Sequence, residues 1–155
     1  MGRLARGRGA AQPSLRISLP SDNSLLALVR DLAKRMAEGA GFDEATAGTL
    51  ALAVDEAMAN VIEHAYHGET GREIELRFED RGPDFTVELM DSGDRIDPGS
   101  LPHFELARYV NERRTGGLGV HLMGRIMDSV SFRRIARRNV CCLVKHKIRV
   151  EARRP

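Results

Sequence analysis

Two polar side chains in the middle of the chain have the types and spacing of a metal ligand and a general base. Glu56 and Asn60 are four residues apart, so on an α-helix they lie about 40° apart and share one face. The carboxamide oxygen of Asn60 suits Mg²⁺, and the carboxylate of Glu56 can accept a proton as a general base. Taken alone, this pattern more simply indicates the exposed face of an amphipathic helix, with Asp55 and Glu63 as further polar members.

A second candidate group is Asp91-Ser92-Gly93, which follows an apolar, strand-like segment directly. An aspartate at the end of a strand can accept a hydrogen bond from the exocyclic amino group of adenine, and Gly93 would let the base approach the backbone. An Asp/Gly turn without any binding function is the common alternative. The sequence therefore predicts a base-binding position here only in combination with other signals.

A third candidate group is the glycine-rich run Gly116-Gly117-Leu118-Gly119, at the predicted start of a helix. Free backbone N–H groups at a helix N-terminus suit a phosphate group, and Arg113 and Arg114 just before the run would add positive charge. No Gly-Lys-Ser/Thr follows, so the run is not a Walker loop, and it is not a dinucleotide-binding GxGxxG motif. A flexible loop that leads into a helix is the alternative interpretation.

Apolar periodicity predicts the helices that would carry these residues. Leu25, Leu28 and Leu32 recur at helical spacing after the potential N-cap residues Ser21 to Asn23, which predicts a first helix that ends near Gly39. A second helix is predicted from about Asp43 to Tyr66, with an apolar stripe wide enough to be buried. A third is predicted to begin at Gly117-Leu118-Gly119.

Alternating apolar and polar residues predict five strands. The first contains Leu15, Ile17 and Leu19, the next two form a hairpin across the turn at residues 81–84, and the last two span about Ser129 to Ile135 and Val140 to Val150. Helices grouped against a largely antiparallel sheet make a two-layer α/β (α+β) sandwich. We expect one domain over residues 14–150, a disordered basic arm at residues 1–13, a tail at residues 151–155 and a lid-like loop from Asp91 to Gly116.

Composition limits the function classes. The 24 Lys and Arg residues nearly balance the 22 Asp and Glu residues, which leaves a formal net charge of +2 and gives no reason to expect direct binding to nucleic acid. No apolar run reaches the roughly 18 residues that a membrane-spanning helix needs. The two cysteines, Cys141 and Cys142, are adjacent and would point to opposite faces of a strand, so two reduced thiols in a cytoplasmic protein are expected.

Taken in order, the three groups resemble the motifs of a known superfamily. AVDEAMANVIEHAYHG, VELMDSGDRIDP and TGGLGVHLMGRIMDSV are similar to the N box and the two glycine boxes of the GHKL (HATPase_c-type) ATP-binding domains. Within that superfamily the chain most resembles the anti-sigma-factor serine kinases, whose N box reads Glu-Ala-x-x-Asn followed by His-Ala-Tyr. The corresponding residues here are Glu56-Ala57, Asn60 and His64-Ala65-Tyr66, and the resemblance extends from about Leu15 to Lys147.

The resemblance implies a role for each matching residue near the base and the metal. Glu56 would be the catalytic base, and Asn60 would hold Mg²⁺. Asp91 would bind the adenine amino group, with Gly93 making room for the base. ATP and Mg²⁺ are the cofactors that this assignment implies.

The phosphates would be bound at the second glycine box. Backbone amides of Gly117, Leu118 and Gly119 would contact them, and Arg113 or Arg114 would reach the terminal phosphate.

The chain departs from the family pattern in two places. The first glycine box often continues with another glycine, whereas this chain has Asp94-Arg95. The last strand usually begins with a Gly-Thr pair whose hydroxyl helps to hold adenine, and here Arg138-Asn139 stands at that place. Asn139 is the candidate replacement for the hydroxyl. For His64, one turn beyond Asn60, a packing or supporting role and a catalytic role are both open.

The implied function is an ATP-dependent serine/threonine-protein kinase that acts as an anti-sigma factor in bacterial transcription and stress responses. Its partners would be a sigma factor, a small anti-anti-sigma (STAS-type) protein substrate and a second copy of the chain, paired through the first strand and helix. Three alternatives remain: a catalytically silent ATP-dependent binding switch, a histidine-kinase-type ATPase domain, and a nucleic-acid binder that uses the arginines between residues 133 and 138. A solvated turn explains those arginines more simply.

Overall fold

A computed structural model of the chain describes residues 14–95 and 118–148, with the side chains of residues 118–120 excepted. Within these residues lie five strands and three α-helices. The strands are β1 (Ser14–Pro20), β2 (Glu73–Asp80), β3 (Asp84–Asp91), β4 (Ser129–Ile135) and β5 (Arg138–His146). The helices are α1 (Leu26–Gly39), preceded by a 3-10 turn (Asn23–Leu25), α2 (Glu44–Asn60), which continues as a π-helical turn (Val61–Ala65), and α3 (Leu118–Ile126).

The strands form one sheet in the order β1-β2-β3-β5-β4, and every neighbouring pair is antiparallel. The register brings Asp91, the last residue of β3, opposite Asn139 of β5, and it brings Asn139 opposite Arg134 of β4. Directly opposed residues of antiparallel strands point to the same face. Three polar side chains from three strands therefore lie in one row across the sheet.

The core lies between the helices and one face of the sheet. From the sheet, β2 and β3 contribute alternate apolar side chains, each at most 1% exposed: Ile74, Leu76, Phe78, Phe85, Val87 and Leu89. The opposite wall is α2, which contacts both α1 and α3 and buries Leu50, Val54 and Met58 among others. Asp43 caps this helix, because its side chain accepts a hydrogen bond of 2.8 Å from the Thr46 N–H.

The predicted fold class, a two-layer α+β sandwich with a mostly antiparallel sheet, is confirmed by this architecture. The predicted order of strands and helices is also observed, with two differences in detail. The second helix is regular only to Asn60, after which the backbone widens into the π-turn. The last strand begins at Arg138, two residues before the predicted start, because Arg138 and Asn139 pair with β4 and β3.

Both cysteines lie in β5 as free, buried thiols, as the sequence predicted. Burial raises the pKa of Cys141 to about 12, so this thiol stays protonated and unreactive at neutral pH. No helix of residues 14–95 and 118–148 has the length and apolar character to cross a membrane.

Candidate functional site

A pocket opens where the end of α2 faces the ends of β3, β4 and β5. Asn60, Asp91 and Asn139, three of the predicted site residues, line this pocket together. The rest of the lining consists of three arginines, Arg95, Arg133 and Arg134, and of apolar residues from α2, the π-turn and the sheet, among them Val61 and Phe132. Polar groups that converge beside an apolar surface are typical of a small-ligand site.

Asp91 is the most enclosed polar group of the pocket, with 2% of its surface exposed. Its Oδ1 accepts hydrogen bonds from the Gly93 N–H at 2.9 Å and from Asn139 Nδ2 at 2.7 Å. Within the described residues, its Oδ2 has no hydrogen-bond partner. One oxygen of this carboxylate is therefore fixed by the protein, and the other remains as an acceptor for a ligand.

The protonation of Asp91 reflects opposing influences. Burial raises its pKa, while the hydrogen bonds from Asn139 and Gly93 and the positive charges of Arg134 and Arg138 lower it, and the net direction is upward. The hydrogen bonds favour the ionised form because both donors point at the carboxylate.

Asn139 connects the pocket to the turn that follows β3. It is 9% exposed, and besides Asp91 its Nδ2 donates to the carbonyl oxygens of Gly93 at 3.3 Å and Asp94 at 2.9 Å. Its Oδ1 accepts a hydrogen bond of 2.8 Å from Arg134 Nη1. Both polar atoms of this side chain are thus engaged within the protein.

Gly93 is required by a close contact with the π-turn. A Cβ built on Gly93 would lie 2.4 Å from the carbonyl oxygen of Ala65, a distance that real Cβ atoms essentially never reach. The same carbonyl accepts a hydrogen bond of 2.9 Å from the Asp94 N–H. The close contact of Gly93 in the structure is with the protein's own backbone, and its role in making room for a base stays a prediction.

The hydroxyl of Tyr66 connects the segment after the π-turn to β2 and to the turn that follows β3. This hydroxyl donates a hydrogen bond of 2.6 Å to the Glu73 carbonyl and accepts one of 3.0 Å from the Ser92 N–H. The side chain is 3% exposed, so these bonds form inside the core. The end of α2, the start of β2 and the turn after β3 are therefore held in one arrangement.

Asn60, at the end of α2, differs from Asn139 in that its side chain has no hydrogen-bond partner among the described residues. Its Nδ2 is buried without a hydrogen-bond partner, and its side chain makes no hydrogen bond to the described residues. No protein group among them competes with a cation for the amide oxygen, so Asn60 fits the predicted role of Mg²⁺ ligand. No cluster of three His, Cys, Asp or Glu able to hold a metal occurs in the described part of the chain.

Glu56 lies one helical turn before Asn60 and is half-buried. It does not line the pocket described above. Burial raises its pKa, and the negative charges of Asp55 and Glu63 raise it further. A carboxylate with a raised pKa is a better proton acceptor at neutral pH than an ordinary one.

The phosphate-binding part of the predicted site is described only at its end. Leu118 and Gly119 form the first turn of α3, which agrees with the predicted helix start. Arg113, Arg114 and Gly117 lie outside the described residues, as does the loop predicted as a lid beyond Arg95.

Arg134 and Tyr66 are the residues that the sequence reasoning did not single out. From the sequence, Arg134 is one of several neighbouring arginines that a solvated turn explains. The alternation of β4 carried the missing signal, because Arg134 follows Val130 and Phe132 on the face that points to the core, whereas Arg133 lies on the other face and pairs with Glu88. Tyr66 was noticed only as part of the His-Ala-Tyr motif.

Known proteins of one family are similar to this chain. The model of a family described as the histidine kinase-like ATPase domain matches residues 19–145. The serine-protein kinase RsbW of Bacillus velezensis is 30% identical over 123 residues, which cover 75% of this chain and 75% of that protein. The RsbW of Bacillus subtilis is 28% identical with the same coverage. The serine/threonine-protein kinase BtrW of Bordetella bronchiseptica is 30% identical over 98 residues, which cover 63% of this chain and 69% of that kinase.

Proposed function

Because the chain belongs to the histidine kinase-like ATPase domain family, we propose that it is an ATP-dependent serine/threonine-protein kinase that also acts as an anti-sigma factor. Family membership implies ATP binding. The observation that carries the finer proposal is the pocket itself, in which Asn60 from the helix layer and Asp91 from the sheet line the same space.

Adenine is the base that suits this pocket. Oδ2 of Asp91, which has no partner among the described residues, can accept a hydrogen bond from the exocyclic amino group of adenine, while Oδ1 is engaged by Gly93 and Asn139. Guanine presents a carbonyl oxygen at the equivalent position, which an ionised carboxylate repels. The buried acceptor therefore favours ATP over GTP.

Phosphoryl transfer depends mainly on positioning and on neutralising charge. Asn60 would contribute its amide oxygen to Mg²⁺, which offsets phosphate charge when bound. Backbone amides of Gly117, Leu118 and Gly119, with Arg113 or Arg114, would hold the phosphates. Glu56 would orient the attacking hydroxyl and remove its proton, a role that its raised pKa suits.

A protein hydroxyl is the proposed acceptor. The relatives are named as kinases of serine or of serine and threonine, and the motif resemblance adds an anti-anti-sigma protein of the STAS type as substrate. Phosphorylation would release that substrate and leave the kinase free to sequester a sigma factor. Pairing of two copies would involve β1, which is an edge strand of the sheet, and α1, where Leu28 is 58% exposed.

The alternative is an ATP-dependent binding switch that does not transfer phosphate. A histidine-kinase-type ATPase domain is the third possibility within the same family. The half-buried Glu56 with its raised pKa favours the kinase, because a switch needs no base at that position.

The test is a phosphorylation assay with labelled Mg·ATP and the STAS-type protein encoded nearest to this gene, run beside a pull-down of the same pair. Transfer of the label to a serine or threonine of the partner is the expected result. ATP-dependent capture without label would establish the switch. A labelled histidine in a partner would support the histidine-kinase alternative.

A further inference from the structure

The row of side chains across β4, β5 and β3 forms a directed chain of hydrogen bonds. Arg134 donates to Asn139 Oδ1 at 2.8 Å, and Asn139 Nδ2 donates to Asp91 Oδ1 at 2.7 Å. The register places these three residues directly opposite one another. A guanidinium group can only donate, so its contact fixes which end of the Asn139 amide faces Asp91.

The orientation of that amide decides what Asp91 can do. With Nδ2 toward the carboxylate, Oδ1 of Asp91 is engaged and Oδ2 remains available in the pocket. With the amide reversed, two acceptors would face each other, and the contact would become repulsive. The Asn139 side chain also holds the carbonyl oxygens of Gly93 and Asp94, so the turn beyond Asp91 depends on the same orientation.

We propose that Arg134 and Asn139 are positioning residues that set the adenine specificity of this pocket by acting through Asp91, and that Asn139 itself does not touch the base. This inference rests on the proposed function, in which Asp91 Oδ2 receives the adenine amino group. Asn139 is not expected to contact the base, because its Nδ2 already donates to three oxygen atoms and its Oδ1 already accepts from Arg134.

The proposal makes the effect of Asn139 depend on a single group of the ligand. If Asn139 acts through Asp91, its removal matters only for nucleotides that carry the 6-amino group. If Asn139 contacts the base directly, its removal matters for nucleotides with and without that group. Purine riboside triphosphate, which lacks the amino group, therefore distinguishes the two roles.

The experiment measures the affinity of ATP and of purine riboside triphosphate by calorimetry for the wild type, Asn139→Ala, Asn139→Asp and Arg134→Ala. We expect Asn139→Ala to weaken ATP roughly tenfold and to leave the affinity of the analogue unchanged within about twofold. Asn139→Asp keeps an acceptor for Arg134 but directs a carboxylate at Asp91, so its loss of ATP affinity should be at least as large.

Arg134→Ala is the variant that preserves the fold, because the side chain is exposed. It should weaken ATP roughly threefold, since the amide of Asn139 loses its fixed orientation, and again spare the analogue. Arg137→Ala is the matched control. It removes the same charge from the adjacent exposed turn, and the Arg137 carbonyl that Arg134 contacts at 3.4 Å is retained, so ATP affinity should not change.

Equal weakening of both nucleotides by Asn139→Ala would overturn the proposal in favour of direct contact. Wild-type affinity of Asn139→Asp for ATP would overturn it as well, because donation to Asp91 would then be unnecessary. If Asn139→Ala does not fold, the ATP affinities of Arg134→Ala and Arg137→Ala provide the test. Equal ATP affinities of these two variants would contradict a role of the hydrogen-bond chain from Arg134 to Asp91. Failure of the wild type to bind ATP would instead refute the proposed function.

Discussion

The two ends of the pocket differ in how far the protein satisfies its own polar groups. At the sheet end, Asp91 and Asn139 share a network in which Oδ1 of the aspartate and both polar atoms of the amide have partners. At the helix end, Asn60 has a buried amide nitrogen with no partner among the described residues, and Glu56, one helical turn earlier and outside the pocket lining, is half-buried near two further carboxylates. Among the described residues, the sheet end leaves one acceptor, Oδ2 of Asp91, for a ligand, whereas the helix end leaves a buried donor without a partner.

This difference indicates how the two ends divide their work. A satisfied polar network in a low-dielectric setting is rigid, which suits discrimination between bases. An unsatisfied buried polar group carries a cost of about 1–3 kcal/mol, which a ligand with a hydrogen-bond acceptor at that place would relieve. We therefore expect substitutions at the sheet end to affect base selection and stability, and substitutions at the helix end to affect phosphoryl transfer.

The largest expected effect is that of Glu56→Gln on phosphoryl transfer. Glutamine keeps the size of the side chain but cannot take a proton, so the rate on a protein substrate should fall roughly 10²- to 10⁴-fold, while ATP affinity stays nearly unchanged. Single-turnover transfer and calorimetry measure the two quantities. The control is Glu63→Gln, the same change one helical turn beyond Asn60, and an equal loss in that control would remove the special role of Glu56.

The pH dependence of the same rate gives a second test. Burial raises the pKa of Glu56 above its ordinary value of 4.5, and Asp55 and Glu63 add to the shift. Only the ionised carboxylate can act as base, so the rate should fall as the pH decreases through this raised pKa. Glu63→Gln removes one of the charges that raise the pKa, and the fall should then move to lower pH. If the pH at which the rate falls is the same in Glu63→Gln as in the wild type, a group other than Glu56 controls the pH dependence.

Asp91→Asn should have the next largest effect, on nucleotide affinity. The change replaces a carboxylate acceptor with an amide that can direct a donor at the adenine amino group, and we expect a loss of roughly 10- to 100-fold for ATP. GTP should bind the wild type poorly. The difference in affinity between ATP and GTP should be smaller in Asp91→Asn than in the wild type. Equal wild-type affinities for ATP and GTP, measured by calorimetry, would refute the adenine assignment.

Gly93→Ala tests the contact between the sheet end and the π-turn. The added Cβ would meet the Ala65 carbonyl at 2.4 Å, and neither backbone segment can yield cheaply, so unfolding should require about 1–3 kcal/mol less free energy. Gly48→Ala is the matched control. Its Cβ would meet nothing within 4 Å, and in the interior of α2 the change should stabilise by about 0.5–1 kcal/mol. Denaturant unfolding of both variants measures the difference, and equal shifts would contradict the packing argument.

The sequence predicted the architecture well, because its signals are local. Alternation and helical periodicity located each element, and the order of the three motifs identified the family that the comparisons then confirmed. The hydrogen bonds at the sheet end of the pocket could not be predicted in the same way. They depend on the register that sets Arg134 and Asn139 opposite Asp91, and register follows from pairing between distant segments.

Gly93 shows a second limit of sequence reasoning. A glycine after a strand indicates close approach of something to the backbone, but the sequence does not say of what. The neighbour is the carbonyl of Ala65, which comes near only because α2 widens into a π-turn after Asn60. A π-turn of this kind is frequent at functional sites but has no simple sequence signature. The roles of Glu56, Asn60 and the second glycine box remain predictions.

The smallest expected effect makes the sharpest comparison between the two ends. Leucine has the same number of side-chain heavy atoms and the same branching as asparagine, so Asn60→Leu and Asn139→Leu are one chemical change at two places. At Asn60 the change removes a buried donor that has no partner, and without nucleotide the free energy of unfolding should stay level or rise by about 1 kcal/mol. At Asn139 it leaves Arg134 and the carbonyl oxygens of Gly93 and Asp94 without their partner, and stability should fall by about 1–3 kcal/mol.

Urea unfolding of both variants without ligand, followed by a repeat with Mg·ATP, measures the effects. Added nucleotide should stabilise the wild type but not Asn60→Leu, since that variant has lost the proposed metal ligand. If Asn60→Leu is as unstable as Asn139→Leu in the absence of ligand, the two ends are not different in the way that the hydrogen bonds indicate.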